Sequence, residues 1–518
     1  MNLKLMLEEA AGKYRGKVAI VSGDCRLSYT DLDEAANKVA SALLGMGVEK
    51  GDRVALLLSN SPEFVTTLFG IVKTGAMAVP LDVYCHVNEL TSLFNDFKPR
   101  VLVADGDALE QVVSALPTLK SIENVIEVGG GSGGRFHSYQ EIMQASLVAK
   151  VESEIAPDDT AVVLYSSCSS YNPRGVMLSH RSLVNEAVIS ANGFQQTGRD
   201  IMMLFALPMY HVMGLVAGLL ASIYSGSTIV MVPGTGLSLS SFLETIEKER
   251  GTIWLGVPYI FGLAADMAEK EGVSHNLGSL RLCGSAGAPL PLSTAQKFKK
   301  YYGFSLIDFW GLTEATCHVT CSPVSGDGRP GSVGKALPGW QVKIVDGKGG
   351  EMPSGRSGEI IVKGPAMQGY YNNPQATAQV MADGWLHTGD IGSFDVDGNL
   401  YITGRKKETV IVKGQNIHPS DLEVVLSAHP QVAEVAVIGV PDELRGEVVA
   451  AVIALKKGEV TTEYDLRRFC LEHLASYKAP KQFIFLDSLP RTASGEIDKE
   501  GIRQQLSIPS IFPVKEIT

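Results

Sequence analysis

Positive charge is in short supply in this chain, whose 518 residues carry 45 lysines and arginines against 56 aspartates and glutamates, a formal net charge of −11. That balance leaves no electrostatic footprint for nucleic acid, and no basic amphipathic stretch offers itself to a membrane surface. Cysteine is scarce too. The seven (Cys25, Cys85, Cys168, Cys283, Cys317, Cys321, Cys470) are odd in number and scattered. Such usage argues against a disulfide framework and for a reducing cytoplasm. Cys317 and Cys321 form a C-x-x-x-C with no second pair at metal-ligand spacing, so zinc is not expected. The N-terminal MNLKLMLEEAAGKY lacks the apolar core and cleavage signal of a secretory leader. Between Ile201 and Leu243 charge vanishes altogether. Pro208, His211 and repeated Gly and Ser divide that run into strand, helix and strand, which reads as buried core and not as a membrane span.

Glycine is missing where it would be most useful. The stretch SSCSSYNPRG, Ser166 to Gly175, follows a strand-like run, Thr160 to Tyr165, and precedes a helix-like run starting near Ser182. A phosphate-holding loop is expected in such a place, and glycines normally let its backbone amides approach the phosphate. Cys168 and Tyr171 stand where those glycines would be. The glycine-rich GGGSGG, Gly129 to Gly134, has no helix signal after it and reads as a surface loop.

What is present points to a layered α/β molecule with more than one core. From Arg53 to about Phe309, short apolar strands (Val54 to Leu58, Val101 to Ala104, Met202 to Leu207, Thr228 to Val232, Ile253 to Leu255, Leu280 to Cys283) alternate with amphipathic stretches (Glu63 to Thr74, Phe242 to Arg250, Pro258 to Glu271). The alternation predicts parallel strands with sites at their carboxyl ends. After Gly331 the sequence turns strand-rich up to about Gly404, and Arg405 to about Lys499 mixes helices and strands again. The expected division is 1–404 and 405–518.

Seven short motifs follow in order: YSSCSSYNPRGVMLSH (Tyr165 to His180), LPMYHVMG (Leu207 to Gly214), GSAGAPL (Gly284 to Leu290), WGLTE (Trp310 to Glu314), HTGD (His387 to Asp390), GRKKETVIVKGQNIHP (Gly404 to Pro419) and PRTASGEIDK (Pro490 to Lys499). Each alone is weak. In this order they resemble the adenylate-forming superfamily of acyl- and aryl-CoA ligases, peptide-synthetase adenylation domains and beetle luciferases, over roughly Leu27 to Lys499. The resemblance implies a large N-terminal domain with a β-rich subdomain, and a small α+β C-terminal domain that rotates about a hinge near Lys407. It implies ATP, Mg²⁺ and coenzyme A as cofactors, with a carrier-protein phosphopantetheine as the other possible thiol. A carboxylate attacks the α-phosphate of ATP to give an acyl-adenylate and pyrophosphate; a thiol then takes the acyl group and AMP leaves.

By the same resemblance, Ser166, Ser167, Ser169, Ser170 and Arg174 belong to the phosphate loop, and Ser285, Ala286 and Gly287 to the stretch that reads the adenine edge. Trp310 and Gly311 flank the base. Glu314, beside Thr313, is placed to hold Mg²⁺, a hard ion suited to carboxylate oxygen. Asp390 is suited to accept both ribose hydroxyls, with Arg405 supporting the sugar. His211 resembles the histidine at the carboxylate end of the acyl pocket, whose expected wall comprises His211, Val212, Gly214, Val257 and Phe261. That wall is apolar and has no obvious cation, so a hydrophobic acid is favoured over a dicarboxylate or an amino acid. Taken singly, Glu314 and Asp390 would read as solvated charges, and His211 and Trp310 as core residues.

Two departures from the family pattern fall on the first half-reaction. The family's phosphate loop usually reads Y-T-S-G-T-T-G-x-P-K-G, so Cys168 and Tyr171 replace glycines and Arg174 replaces a lysine. In PRTASGEIDK, Glu496 stands where the family has the lysine that bridges the carboxylate and the α-phosphate. Lys413, just before Gly414, matches the lysine of the thioester-forming step. The expectation is an acyl- or aryl-CoA ligase-like enzyme with adenylation weak or lost and acyl transfer to or from CoA or a carrier-protein thiol retained. A fully active ATP-dependent ligase and a non-catalytic acyl-AMP-binding protein are the alternatives. The identity of the acid and the oligomeric state are not legible.

Overall fold

The computed structural model describes residues 1–130, 136–145, 150–165, 174–232, 238–405, 409–491 and 497–508. Among these, the strands Val18–Ser22, Thr228–Met231, Ile201–Leu204, Ile253–Gly256, Leu282–Ser285 and Leu306–Leu312 lie side by side in parallel. Antiparallel strands finish both edges: Cys25–Ser28 on one side, Cys317–Cys321 and then Lys335–Ala336 on the other. Central strands of such a sheet are covered on both faces, which explains why they read as unbroken apolar runs such as IWLG at Ile253–Gly256.

A second sheet takes the order Gly369–Tyr370, Gly175–Ser179, Thr160–Tyr165, Met77–Pro80, Arg53–Leu57, Val101–Asp105, Asn124–Val128 and His137–Ser138. One apolar core joins both sheets through the helices Leu3–Tyr14, Tyr29–Gly45, Pro62–Thr74 and His180–Gly193. Local chemistry sets where these helices begin. Ser61 Oγ accepts from Phe64 N at 3.1 Å with Pro62 in the first helical position, and Ser179 Oγ accepts from Ser182 N at 3.0 Å.

The charge-free run folds as expected, with Ile201–Leu204, an eight-residue π-helix Met213–Leu220, helix Ala221–Ser225 and strand Thr228–Met231. Among the described residues no helix is long and apolar enough to cross a membrane. The helix expected near Ser182 is His180–Gly193, but a strand not expected from the sequence intervenes: Gly175–Ser179 pairs antiparallel with Thr160–Tyr165, with Tyr165 opposite Gly175. The alternation that marks this strand, Val176 and Leu178 inward, is too short to separate from the helix that follows. The cysteine reading also needs one amendment: Cys25, Cys283, Cys317, Cys321 and Cys470 are free, whereas Cys85 is disulfide-bonded.

The strand-rich stretch forms an antiparallel sheet of Gln341–Val345, Gly358–Lys363, Trp385–Phe394 and Met381–Ala382, with Leu400–Arg405 paired to Trp385–Phe394. A smaller C-terminal domain follows, built on the strands Gln415–Ile417, Val410–Val412, Gly446–Leu455, Val432–Asp442 and Gln482–Phe485. Its two long strands bury alternate residues on opposite faces, as the two-residue period of a strand requires. Val435, Val437, Val449 and Ala451 meet the helices Pro419–Ser427 and Glu463–Leu471, while Ala436, Ile438, Ala450 and Val452 meet Ile502 of helix Lys499–Gln505.

Candidate active site

Parallel strands present their carboxyl ends on one edge of the sheet, and a cavity of about 260 Å³ opens there. Ala286 to Leu290 follow strand Leu282–Ser285, and Phe309 to Glu314 close strand Leu306–Leu312 and the short turn after it. His211 to Met213 come from the connection after Ile201–Leu204, and Thr388 to Asp390 from the antiparallel sheet. Gly414, Asn416 and His418 reach in from the C-terminal domain. Of the residues expected at the site, Arg174, His211, Val212, Ala286, Gly287, Trp310, Gly311, Thr313, Glu314, Asp390 and Arg405 line this one cavity.

The polar contacts are specific. Trp310 Nε1 donates to Asp390 Oδ2 at 2.9 Å, and Arg405 Nε lies 3.0 Å from Asp390 Oδ1. The indole is thereby fixed as a wall and Asp390 is held by a donor and a cation. Tyr370 Oη donates to Glu314 Oε1 at 2.7 Å, and the Arg174 guanidinium sits 5.6 Å from the Tyr370 ring centre. Desolvation, with Glu314 beside it, raises the Tyr370 hydroxyl above its ordinary range, so it stays protonated and donates. Gly311 is required by packing, because a Cβ there would lie 1.8 Å from the Cys317 carbonyl oxygen.

His211 is desolvated, which lowers its pKa to about 4. Its Nδ1 accepts from Met213 N at 3.3 Å, so in the neutral ring the proton resides on Nε2. This histidine therefore keeps one protonation state from about pH 5.5 upward, and thioester formation from a preformed acyl-AMP is expected to show no His211 inflection between about pH 5.5 and 8. Comparing the pH–rate profile with that of His211→Gln checks this. An inflection near 6.5 that the substitution removes would contradict it.

Other expected residues lie elsewhere. Phe261 packs against Trp254 and Phe298, with ring centres 4.6 and 5.2 Å away, because its face of helix Pro258–Glu271 turns into an aromatic core. Gly214, the second residue of the π-helix, passes the Pro208 carbonyl so closely that a Cβ would come within 2.1 Å of its oxygen. Both are packing positions. Val257 stands behind the lining, against Gly287 and Gly414; a Cβ on Gly414 would meet Val257 Cγ1 at 2.4 Å. Gly414 also has φ +82°, a second reason for glycine. Lys413 places its ammonium 4.6 Å from the Tyr259 ring centre, outside the lining. Ser285 is buried with its hydroxyl unpartnered. Ser166, Ser167, Ser169, Ser170, Lys407 and Glu496, like Cys168 and Tyr171, lie outside the described residues.

The cavity also contains groups that sequence reasoning passed over: Asp308, Phe309, Cys317, His318, Asn416 and His418. Burial pushes the Asp308 carboxyl well above the usual carboxylate range. Asn416 and His418 were within reach, since they belong to the quoted GQNIHP. Asp308 stands two residues before the WGLTE segment and carried no signal of its own.

The donor set suits a nucleotide and one hard cation. Glu314 supplies a single carboxylate, which fits an ion that takes most of its ligands from phosphate and water. Among the described residues no group of three or more His, Cys, Asp or Glu could hold a metal alone.

Residues 7–371 match the model of the AMP-binding enzyme family, and residues 421–496 match that of the AMP-binding enzyme C-terminal domain. The chain belongs to the AMP-binding enzyme family. Within that family it is similar to the indoleacetate–CoA ligase of Aromatoleum aromaticum, 33% identical over 508 residues that span 97% of this chain and 98% of the relative. Its fold is similar to that of the amide bond synthetase McbA from Marinactinospora thermotolerans, with a TM-score of 0.86 and 26% identity over 98% of this chain and 99% of the other. A double mutant of o-succinylbenzoate CoA synthetase (MenE) from Bacillus subtilis, bound with a product analogue, superposes with a TM-score of 0.83 at 28% identity, covering 96% and 98% of the two chains. The chain is thus an enzyme of the CoA ligase, or acid–thiol ligase, family, for which ATP or AMP and CoA are the expected cofactors.

Proposed function

We propose that this AMP-binding enzyme moves the acyl group of a hydrophobic carboxylic acid between AMP and a thiol, that of CoA or of a carrier protein, while making its own acyl-adenylate from ATP slowly or not at all. The observation that supports this most is the company kept in the cavity. Gly414, Asn416 and His418 of the C-terminal domain lie beside His211 and beside the clamp formed by Trp310, Asp390 and Arg405. An acyl-adenylate held by that clamp would meet an approaching thiol at the C-terminal strand pair, where Gly414 allows close passage. Neutral His211 offers an Nε2–H to the acyl oxygen. Glu314 would hold Mg²⁺, which offsets phosphate charge when bound. The adenylation arm of the proposal rests on Glu496, Cys168 and Tyr171 in the sequence. The domain division at 404/405, rotation about Lys407 and a cytoplasmic location complete the reading.

A second reading, an ordinary ATP-dependent CoA ligase, is favoured by the near full-length similarity to the indoleacetate–CoA ligase. Two assays separate them: pyrophosphate release with ATP and a panel of hydrophobic acids, and CoA thioester formation from the corresponding acyl-AMPs. Thioester formation is expected to exceed pyrophosphate release by at least about 100-fold, the loss of one aimed catalytic donor. Pyrophosphate turnover near about 1 per second, ordinary for enzymes, would overturn the proposal.

A further inference from the structure

Strands Val410–Val412 and Gln415–Ile417 are joined by two residues, Lys413 and Gly414, with φ of 53° and 82°. Tight hairpin turns with φ > 0 at both positions favour Asn-Gly, so the lysine is held in the left-handed region against its preference. Such strain points to a use for the side chain. Its ammonium lies 4.6 Å from the centre of the Tyr259 ring, across the boundary between the domains. Tyr259 is the second residue of helix Pro258–Glu271. Gly262 follows at the i, i+3 spacing that puts two residues on one helix face. It is buried, and a Cβ there would lie 3.3 Å from Leu444 Cδ1 of the C-terminal domain. The two contacts are tied to one another. Lys413 N donates to Arg445 O at 3.1 Å, while Asp442 Oδ1 accepts from Leu444 N at 3.1 Å and from Arg445 N at 2.7 Å.

Where the lysine is caught, the glycine beside it is placed. Gly414 lines the cavity, and its Cα lies 4.0 Å from where a Cβ on Gly287 would stand. Resting on the reading that a thiol meets the acyl-adenylate beside Gly414, we propose that Tyr259 and Gly262 are positioning residues for thioester formation. The face of the Tyr259 ring attracts the Lys413 ammonium, and the missing side chain of Gly262 admits Leu444. Together they seat the Lys413–Gly414 turn at the cavity. Neither Tyr259 nor Gly262 lines the cavity itself, so their effect falls on the docked C-terminal domain and not on the binding of the adenylate.

The test uses the full-length enzyme, preformed acyl-AMPs of hydrophobic acids and CoA as acceptor, which makes the result independent of adenylation. Tyr259→Leu is expected to lower kcat about 2- to 5-fold, the scale of one exposed cation–π contact, with the calorimetric affinity for acyl-AMP unchanged. Tyr259→Phe keeps the ring and should restore the rate, and in a Lys413→Met background Tyr259→Leu should have no further effect. Gly262→Leu suits a helix better than glycine does, yet should lower kcat by about 10-fold by pushing Leu444 from its seat; adding Leu444→Ala should recover much of it. Isotope-labelled reductive methylation gives a signature that needs no turnover. The Lys413 methyl signal, identified by its loss in Lys413→Arg, should stand upfield through the Tyr259 ring current and shift back in Tyr259→Leu. An unshifted signal would overturn the contact. Equal kcat in the parent and Tyr259→Leu, additive effects of Tyr259→Leu and Lys413→Met, or no recovery through Leu444→Ala would overturn the positioning role, while thioester formation by the parent keeps the acyl-transfer reading intact. A parent enzyme that forms no thioester from any acyl-AMP would instead overturn that reading.

Discussion

Replacing Glu496 with lysine is expected to raise ATP-dependent pyrophosphate release by about 10²- to 10³-fold, the scale of one donor aimed at developing negative charge. In the resembling enzymes a lysine at this place bridges the acid carboxylate and the α-phosphate. A carboxylate there removes that donor and adds repulsion on the order of a few kcal/mol at an effective dielectric near 20. Among the described residues, the lysine nearest in sequence is engaged. Lys499, three residues along, is paired with Glu423 Oε1 at 2.8 Å. Single-turnover adenylation with a hydrophobic acid measures the effect directly. No gain in Glu496→Lys would remove the charge argument and leave Cys168 and Tyr171 as the cause of any slow step.

The second large effect concerns how the C-terminal domain is held. Lys478 Nζ lies 2.5 Å from Glu89 Oε1, and both side chains are wholly buried. Glu89 Oε2 also accepts from Ala475 N at 3.0 Å and from His86 N at 2.9 Å, the latter at the start of helix Val87–Phe97. Next to this pair, Asp82 hydrogen-bonds with Tyr210 and with Tyr477, and Tyr210 with Gln415. Removing one member of a buried ion pair typically costs about 3 to 5 kcal/mol, because the other charge is left without water or partner. The domain can avoid that cost by undocking. Lys478→Met is therefore expected to slow thioester formation from acyl-AMP by about 10²-fold and to increase the radius of gyration in solution scattering. Adding Glu89→Gln removes the stranded charge while keeping an acceptor for the two backbone amides, so the double variant should recover much of the rate. A single variant as fast as the parent, or a double variant no better than the single, would show that docking does not depend on this pair.

These groups illustrate what the sequence could and could not show. Six of the parallel strands were legible because each is a short apolar run bounded by turns, and Ile253 to Leu255 and Pro258 to Glu271 fall within a residue of their observed limits, whereas Val18–Ser22, Met77–Pro80, Asn124–Val128 and Leu306–Leu312 were not read. The clamp residues were legible through the motif order that carries Trp310, Glu314 and Asp390. Glu89 and Lys478 were not, since 389 positions separate them and neither periodicity nor motif spacing joins residues that far apart. His318 was hidden for a different reason. It sits in CHVTC, a strand buried from end to end, where a histidine reads as core; only the fold brings this residue to the cavity lining. Phe261 erred the other way: proximity in sequence to Val257 put it on the wall, and helix phase turns it into the aromatic core.

The antiparallel pairing of Thr160–Tyr165 with Gly175–Ser179 bears on how an anion could be drawn to the segment between them. Helix His180–Gly193 starts only after Gly175–Ser179 has run its length, five residues or about 17 Å from the end of that segment. The aligned peptide dipoles of that helix act mainly within its first turn, too far away to contribute. A phosphate held there, as the proposed function has it, would be drawn by discrete charges and individual amides, with Arg174 as the cation that would take the share other nucleotide folds assign to a helix.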